Sequence, residues 1–241
     1  MIQTIKANEH YKSEMDWLST YYHFSFADYF DPQKMNYGPL RVFNDDTIQP
    51  STGFDFHPHN DMEIITYVID GELEHQDSHG NQGVIRSGEI QVMTAGSGIM
   101  HSEHNHSNEK PLHLLQMWVV PDKKGLEPSW QQREFSKEQR LDKLLQVVSP
   151  LDSNNNSALK IHQNTSFYVS SLRPGSEISH ELTSGRKAYV FVIDGQIRIN
   201  DVSMQTRDAA KVEGESKLTI KSEKQTELIL VDLPEKYAVK N

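Results

Sequence analysis

Apolar residues along this chain come in short runs broken by turn-formers. Runs at 64–69, 83–85, 90–93, 112–120, 167–172, 189–193, 217–220 and 228–231 are separated by stretches rich in Gly, Asn, Asp and Pro. Many short strands at this spacing predict an all-β sandwich or barrel. Asp70-Gly71, His79-Gly80-Asn81, Ser87-Gly88 and Asp194-Gly195 each place a residue tolerant of positive φ between candidate strands.

One stretch departs from the pattern. Ser136 precedes Gln139 in capping-box spacing, and Leu141, Leu144, Leu145 and Val148 recur at helical intervals, so 136–148 is expected to be a short helix. Ser149-Pro150 ends it, and 152–157 is a polar, asparagine-rich loop. On either side the chain repeats itself: Tyr67-Val68-Ile69-Asp70-Gly71 is echoed by Phe191-Val192-Ile193-Asp194-Gly195. The reading is two related β-barrels at 1–133 and 158–241, joined by a helix and linker at 134–157.

Composition narrows the chemistry. With 241 residues the chain can bury two cores. No run of about 18 apolar residues is present, so no membrane span is expected. The start, Met-Ile-Gln-Thr-Ile-Lys, lacks the apolar segment of a secretory signal, and a cytoplasmic location is expected. There is no cysteine, so any metal must be held by nitrogen and oxygen. A formal charge of -10 without a basic stripe argues against direct nucleic-acid binding. No phosphate loop, Gly-x-Ser-x-Gly elbow or nucleotide fingerprint occurs.

Twelve histidines invite a search for ligands. In a strand His57 and His59 share a face, with Pro58 pointing the other way and confining the segment to an edge or strand end. The same spacing recurs at His101 and Glu103, after the turn-rich 94–98. Two such pairs on neighbouring strands could converge on one ion. Three imidazoles and a carboxylate suit Fe(II), Mn(II), Ni(II), Cu(II) or Zn(II), leaving coordination positions open. The plainer alternative makes His57 and His59 partly exposed strand residues and 101–106 a solvated loop. Glu63, in phase with His59, competes with Glu103 as the oxygen ligand, and spacing does not choose between them. His75, His79, His104 and His106 lie beside turns and are expected at the surface. His113 and Trp118 are expected to pack, as is the aromatic-rich stretch from Tyr21 to Phe30.

At these residues the sequence resembles the pirin family of bicupins, and within it the bacterial members described as quercetin 2,3-dioxygenases. The matching text is 23–32, 38–42, 53–71 with His57-Pro58-His59, 85–89, and 94–103 ending in His101-Ser102-Glu103. It covers most of the first 120 residues. The resemblance implies two tandem cupin barrels of the jelly-roll type and a single metal held by His57, His59, His101 and Glu103, with Glu63 in a supporting role. Aligning the two Val-Ile-Asp-Gly strings puts Glu181, Thr183 and Lys187 at the positions of His57, His59 and Glu63, so the second barrel is expected to bind no metal. The implied cofactor is one divalent transition metal, first of all Fe(II), with zinc, nickel, manganese, copper or cobalt as alternatives. The implied reaction is dioxygen attack on a flavonol, with Glu103 as base. Two further readings are a metal- or redox-responsive regulatory protein with a protein partner, and a cupin-type isomerase.

Overall fold

The computed structural model describes residues 1–240. It is built almost wholly of strands, with one short 3-10 turn at Ala7–Glu9. No helix among the described residues is long and apolar enough to cross a membrane. The chain divides into two compact units that are not contiguous in sequence. One comprises Tyr11–Glu134 and Leu159–Gln163 with the tail from Ala238; the other comprises Met1–His10, Phe135–Ala158 and Asn164–Tyr237.

The chain opens with β1 (Ile2–Ile5), which belongs to the second unit. It then builds the first from β2 (Tyr11–Glu14), β3 (Leu18–Tyr22), β4 (Leu40–Ile48), β5 (Gly53–His59), β6 (Glu63–Asp70), β7 (Glu72–Asp77), β8 (Gln82–Arg86), β9 (Glu89–Thr94), β10 (Ile99–Asn105), β11 (Leu112–Val119) and β12 (Ser129–Glu134). The second unit continues with β13 (Leu145–Pro150). After β14 (Leu159–Ile161), which returns to the first, come β15 (Ser166–Leu172), β16 (Glu177–Glu181), β17 (Arg186–Asp194), β18 (Gln196–Ile199), β19 (Val202–Gln205), β20 (Ala209–Val212), β21 (Lys217–Ser222) and β22 (Thr226–Pro234).

In the first unit a seven-stranded sheet, β12-β9-β6-β11-β4-β3-β2, faces a four-stranded one, β5-β10-β7-β8. In the second, β1-β20-β17-β22-β15-β13 are successive neighbours and the smaller sheet is β16-β21-β18-β19. The duplication expected from the two Asp-Gly strings is thus visible in connectivity: β12-β9-β6-β11-β4 matches β1-β20-β17-β22-β15. Each unit is a pair of facing sheets, the jelly-roll arrangement expected of two tandem cupins.

The helix expected at 136–148 does not form. Its capping signal is real, since the Ser136 N–H donates to Gln139 Oε1 at 2.8 Å, but it closes only a turn. Asp142 then takes φ 52, which ends helical geometry, and its N–H donates to the Ser171 carbonyl. Leu145 begins β13, pairing with Val169 of β15. Val147 and Val148 are both fully buried there, and that burial outweighs the local helical spacing.

The interior of the first unit is layered. Inward residues of β6 run Ile64, Thr66, Val68, and those of β11 run Leu112, Leu114, Gln116, Trp118. Val68, Leu112 and Leu114 join Leu18, Ile48, Leu73 and Ile85 in one apolar cluster, while Ile64 joins Met93, Ala95 and Ile99 in another. A polar layer lies between them. Side chains of one register row share a face, so Gln91, Thr66, Gln116 and Asn44 form a line across four strands of the large sheet. Set between apolar clusters, these polar groups depend on one another for hydrogen bonds, as Gln91 Nε2 does in donating to the Thr66 hydroxyl at 3.1 Å.

Candidate metal centre

Strands β5 and β10 present the histidines. His57 is the register partner of His101, and Glu103 is the partner of Phe54, so β5 spends three steps where β10 spends two. This bulge lies before His57 and leaves His57 and His59 on one inward face, as their spacing predicts. Gly53 makes the close pairing possible, because a Cβ there would collide with the Glu103 carbonyl and the His104 backbone.

The three imidazoles converge. Ring centroids are 4.8 Å apart for His57 and His59, 4.5 Å for His57 and His101, and 4.9 Å for His59 and His101. Their nearest ring nitrogens all lie within 4.8 Å of one another. Nδ1 of His57 is 2.7 Å from the Asp55 carbonyl. A carbonyl only accepts, so Nδ1 carries the proton and Nε2 offers a lone pair. Burial, then the neighbouring imidazoles of His101 and His57, lowers His59 to about 4. Burial and repulsion from His57 and His75 lower His101 to about 3. Both rings are therefore neutral, the form a metal requires. His101 is 1% exposed, and both of its ring nitrogens are buried without a hydrogen-bond partner. A buried imidazole with neither nitrogen satisfied is costly on its own and is the donor a cation would complete.

Glu103 is buried and gripped from both sides. Gln91 Nε2 donates to Oε1 at 2.5 Å and Gln116 Nε2 donates to Oε2 at 2.6 Å. The Thr66 hydroxyl adds a longer bond of 3.4 Å to Oε1. Each glutamine is fixed in turn by an indole: Trp130 Nε1 donates to Gln91 Oε1 at 2.9 Å, and Trp118 Nε1 to Gln116 Oε1 at 3.1 Å. In this arrangement Glu103 groups with His101 and His75, not with His57 and His59, and His101 belongs to both groups.

Glu63, the rival carboxylate, is committed elsewhere. Both its oxygens accept from the His162 backbone N–H at 2.9 Å, and it also bonds Thr94 and the His162 ring. The Glu63 hydrogen bond, partly opposed by burial, raises the His162 pKa. His104 and His106 pair with Asp55 and Glu74 near the surface. His113 packs half-buried against Asp45, as expected.

His75 was expected at the surface, and this is corrected. It is fully buried on β7 in phase with Leu73 and Asp77, opposite Glu103. Parity with Leu73 was the signal that could have placed it inside. The glutamines and tryptophans around Glu103 were also missed as functional residues, although Gln91 and Gln116 sit at inward positions of apolar strands. The aromatic-rich segment divides. Phe24 is buried and Phe30 exposed, while Phe26 stands edge-on to Trp118, which stands edge-on to His59. Trp118 is thus part of the site wall. A cleft of about 290 Å³, lined by Pro58, His59, Asn60, Ser78, Gly98, Ile99 and Met100, opens beside His59.

The second unit gives an internal comparison. Aligning the Asp-Gly strings and following the register, Thr66, Gln91 and Gln116 correspond to Val190, Ala210 and Leu230. His75 and Glu103, opposite each other in the first unit, correspond to the pair Ile199 and Ile220. Leu218 takes the place of His101. These residues form one apolar core. His180 is bonded to Asp232 at 2.9 Å, and Lys187 lies 3.8 Å from Glu213.

Two family profiles account for the chain. That of Pirin matches residues 4–119, and that of the quercetinase C-terminal cupin domain matches residues 146–233. The quercetin 2,3-dioxygenase of Escherichia coli K12 is 42% identical over 234 residues, which is 97% of this chain and 99% of that one. The chain belongs to the pirin family. A pirin-like protein of Caulobacter vibrioides is 42% identical over 216 residues, covering 90% and 92% of the two chains. Among solved structures, YhhW from Escherichia coli aligns with a TM-score of 0.93 at 39% identity over 98% of this chain and 99% of its own. Bacterial pirin YhhW in complex with nickel(II) aligns at 0.92 and 39% over 97% and 99%. A pirin of this kind is therefore known with a transition metal bound, and the neutral imidazoles here are suitable donors for such an ion.

Proposed function

We propose that this pirin is a metal-dependent dioxygenase that opens the heterocycle of a flavonol. One divalent transition metal would be held by His57, His59 and His101, with Glu103 as the oxygen ligand, and Fe(II) is the ion proposed for work with dioxygen. The second unit is proposed to hold none. The observation that carries the reading is His101, buried where three imidazoles meet with both ring nitrogens unsatisfied. Further support comes from relatives named quercetin 2,3-dioxygenase and from the nickel(II) complex of YhhW.

When bound, the ion would supply a Lewis-acidic centre for the 3-hydroxyl and 4-carbonyl oxygens of the flavonol, lowering the hydroxyl pKa. The chain's own residues supply the rest. Glu103 is the base for the 3-hydroxyl proton: Gln91 and the Thr66 hydroxyl both donate to Oε1, whereas Oε2 accepts only from Gln116 and keeps a lone pair that the proton can take in place of the ion. Trp118 and Phe26 form an apolar wall beside His59 against which a planar aromatic substrate can lie. The cleft beside His59 is at the small end of the range for ligand pockets and gives a route inward.

Metal content, flavonol consumption and oxygen uptake, measured on wild type, His57→Ala and Glu103→Ala, test this reading. Wild type should hold about one ion and consume flavonol; His57→Ala should lose the ion, and Glu103→Ala the turnover. Equal metal in wild type and His57→Ala would remove the site. Bound metal without flavonol consumption would leave a metal-responsive binding protein.

A further inference from the structure

His75 lies outside the ligand set proposed above and has no role in it. Its ring is fully buried, it stacks on Trp130 at 5.2 Å with planes 9° apart, and its Nε2 meets Asp77 Oδ2 at 3.4 Å. Nδ1 is buried with no partner. Asp77 is itself fixed, since its Oδ1 accepts from the backbone N–H groups of His79 and Asn81 and its Oδ2 from the Asn81 side-chain amide. An ionised carboxylate only accepts, so the His75 proton sits on Nε2 and Nδ1 is left as a bare acceptor.

Beside that acceptor stands His101. Once one of its nitrogens faces a metal, the other must carry a proton, and nothing else around it accepts that proton. Two imidazoles joined N–H to N stand roughly 5 Å apart between ring centres, about 3 Å of hydrogen bond plus about 1 Å of ring on each side. His75 and His101 are 5.4 Å apart, close to that separation though their facing nitrogens are not yet hydrogen-bonded to each other. One buried acceptor without a donor therefore adjoins one buried donor without an acceptor.

We propose that His75 is a positioning residue of the metal centre, accepting a hydrogen bond from the non-ligating N–H of His101 while Asp77 fixes its tautomer. The inference rests on the metal reading given above. Trp130 serves both arms of the site, since it holds the His75 ring by stacking and holds Gln91, and through it Glu103, by its indole N–H. The duplicate unit behaves accordingly. There His75, His101 and Glu103 are replaced together, by Ile199, Leu218 and Ile220, as expected if they form one functional set.

Nickel(II) affinity, measured by chelator competition on the full chain, is the test. His75→Phe keeps a flat ring on Trp130 but removes the acceptor, and should weaken binding about 10- to 100-fold. His75→Gln, which restores an acceptor oxygen, should recover part of that loss. X-ray absorption should count the same number of coordinated imidazoles in wild type and His75→Phe. Wild-type affinity in His75→Phe overturns the proposal, and so does the loss of one coordinated imidazole, which would make His75 a ligand. His57→Ala serves as the control: if it binds nickel like wild type, the metal site itself fails, independently of His75. A measurement on wild type needs no variant. In the zinc-loaded protein, imidazole 15N shifts should place the His75 proton on Nε2, and a proton on Nδ1 would overturn the assignment.

Discussion

Gln116 reaches Glu103 Oε2 at 2.6 Å with an amide that cannot turn over, because its other end accepts from the Trp118 indole. Gln91 does the same to Oε1 from the opposite side, with Trp130 behind it. Two amides of fixed orientation thus aim N–H donors at the carboxylate. The row that places them, Gln91-Thr66-Gln116, is a direct product of strand register.

Removing either amide should cost stability. Gln116→Leu keeps the volume but leaves a Glu103 oxygen and the Trp118 N–H without their partner, and a buried group left in this way costs about 1–3 kcal/mol. Urea unfolding of the metal-free protein should show that loss. Gln91→Leu should behave alike. A Gln116→Leu protein as stable as wild type would mean that water or a shifted side chain already serves Glu103.

Much of this site was legible in the sequence because β structure has a period of two. His57 and His59 share a face, and so do His101 and Glu103, and the fold brings the pairs onto neighbouring strands. Spacing could not separate Glu63 from Glu103. That choice depends on His162, a residue 99 positions from Glu63 that occupies the Glu63 carboxylate. His75 was missed because a histidine near a turn reads as solvated, although its phase with Leu73 says otherwise. The expected helix failed for the opposite reason. Local capping chemistry at Ser136 and Gln139 was present, but the pairing of β13 with β15, invisible to a short window, took the apolar residues into a strand.

The approach of β5 to β10 depends on the absence of a side chain at Gly53. Gly53→Ala would push its Cβ into the backbone at Glu103 and His104, where no flexible side chain can yield alone. The strands must part, and His57 and His59 must move relative to His101. Loss of nickel(II) affinity by at least tenfold is expected, with a destabilisation of about 1–3 kcal/mol from overpacking. Unchanged affinity and stability would show that β5 tolerates the displacement.

Metal should also be visible as stability. An ion that binds only the folded chain at about a hundred times its Kd adds roughly 2.7 kcal/mol. Nickel(II) should therefore raise the melting temperature of wild type. It should leave His101→Ala close to its metal-free value, because that change removes the imidazole shared by both donor groups. An equal rise in both proteins would place the ion elsewhere.

Asp46 on β4 provides a pH signature. Burial, then repulsion from Asp45 and Glu103, raises its pKa from 3.8 to about 7, with the Thr20 hydroxyl opposing. Between those values the folded chain keeps a proton that the unfolded chain has released, so this group's contribution to stability falls as pH rises from about 4 to about 7. His59 and His101 act in the other direction. Unfolded, they take up protons below about 6.5, but folded not until about 4 and about 3, so they withdraw stability as the medium is acidified. Asp46→Asn keeps the shape of the neutral acid and removes its titration. In metal-free protein the variant should gain on the order of a few kcal/mol over wild type at pH 8. The gain should shrink to nothing near pH 4, exposing the slope of the histidines between pH 7 and 5. Urea unfolding across that range checks both, and parallel profiles for the two proteins would rule out a neutral, buried Asp46.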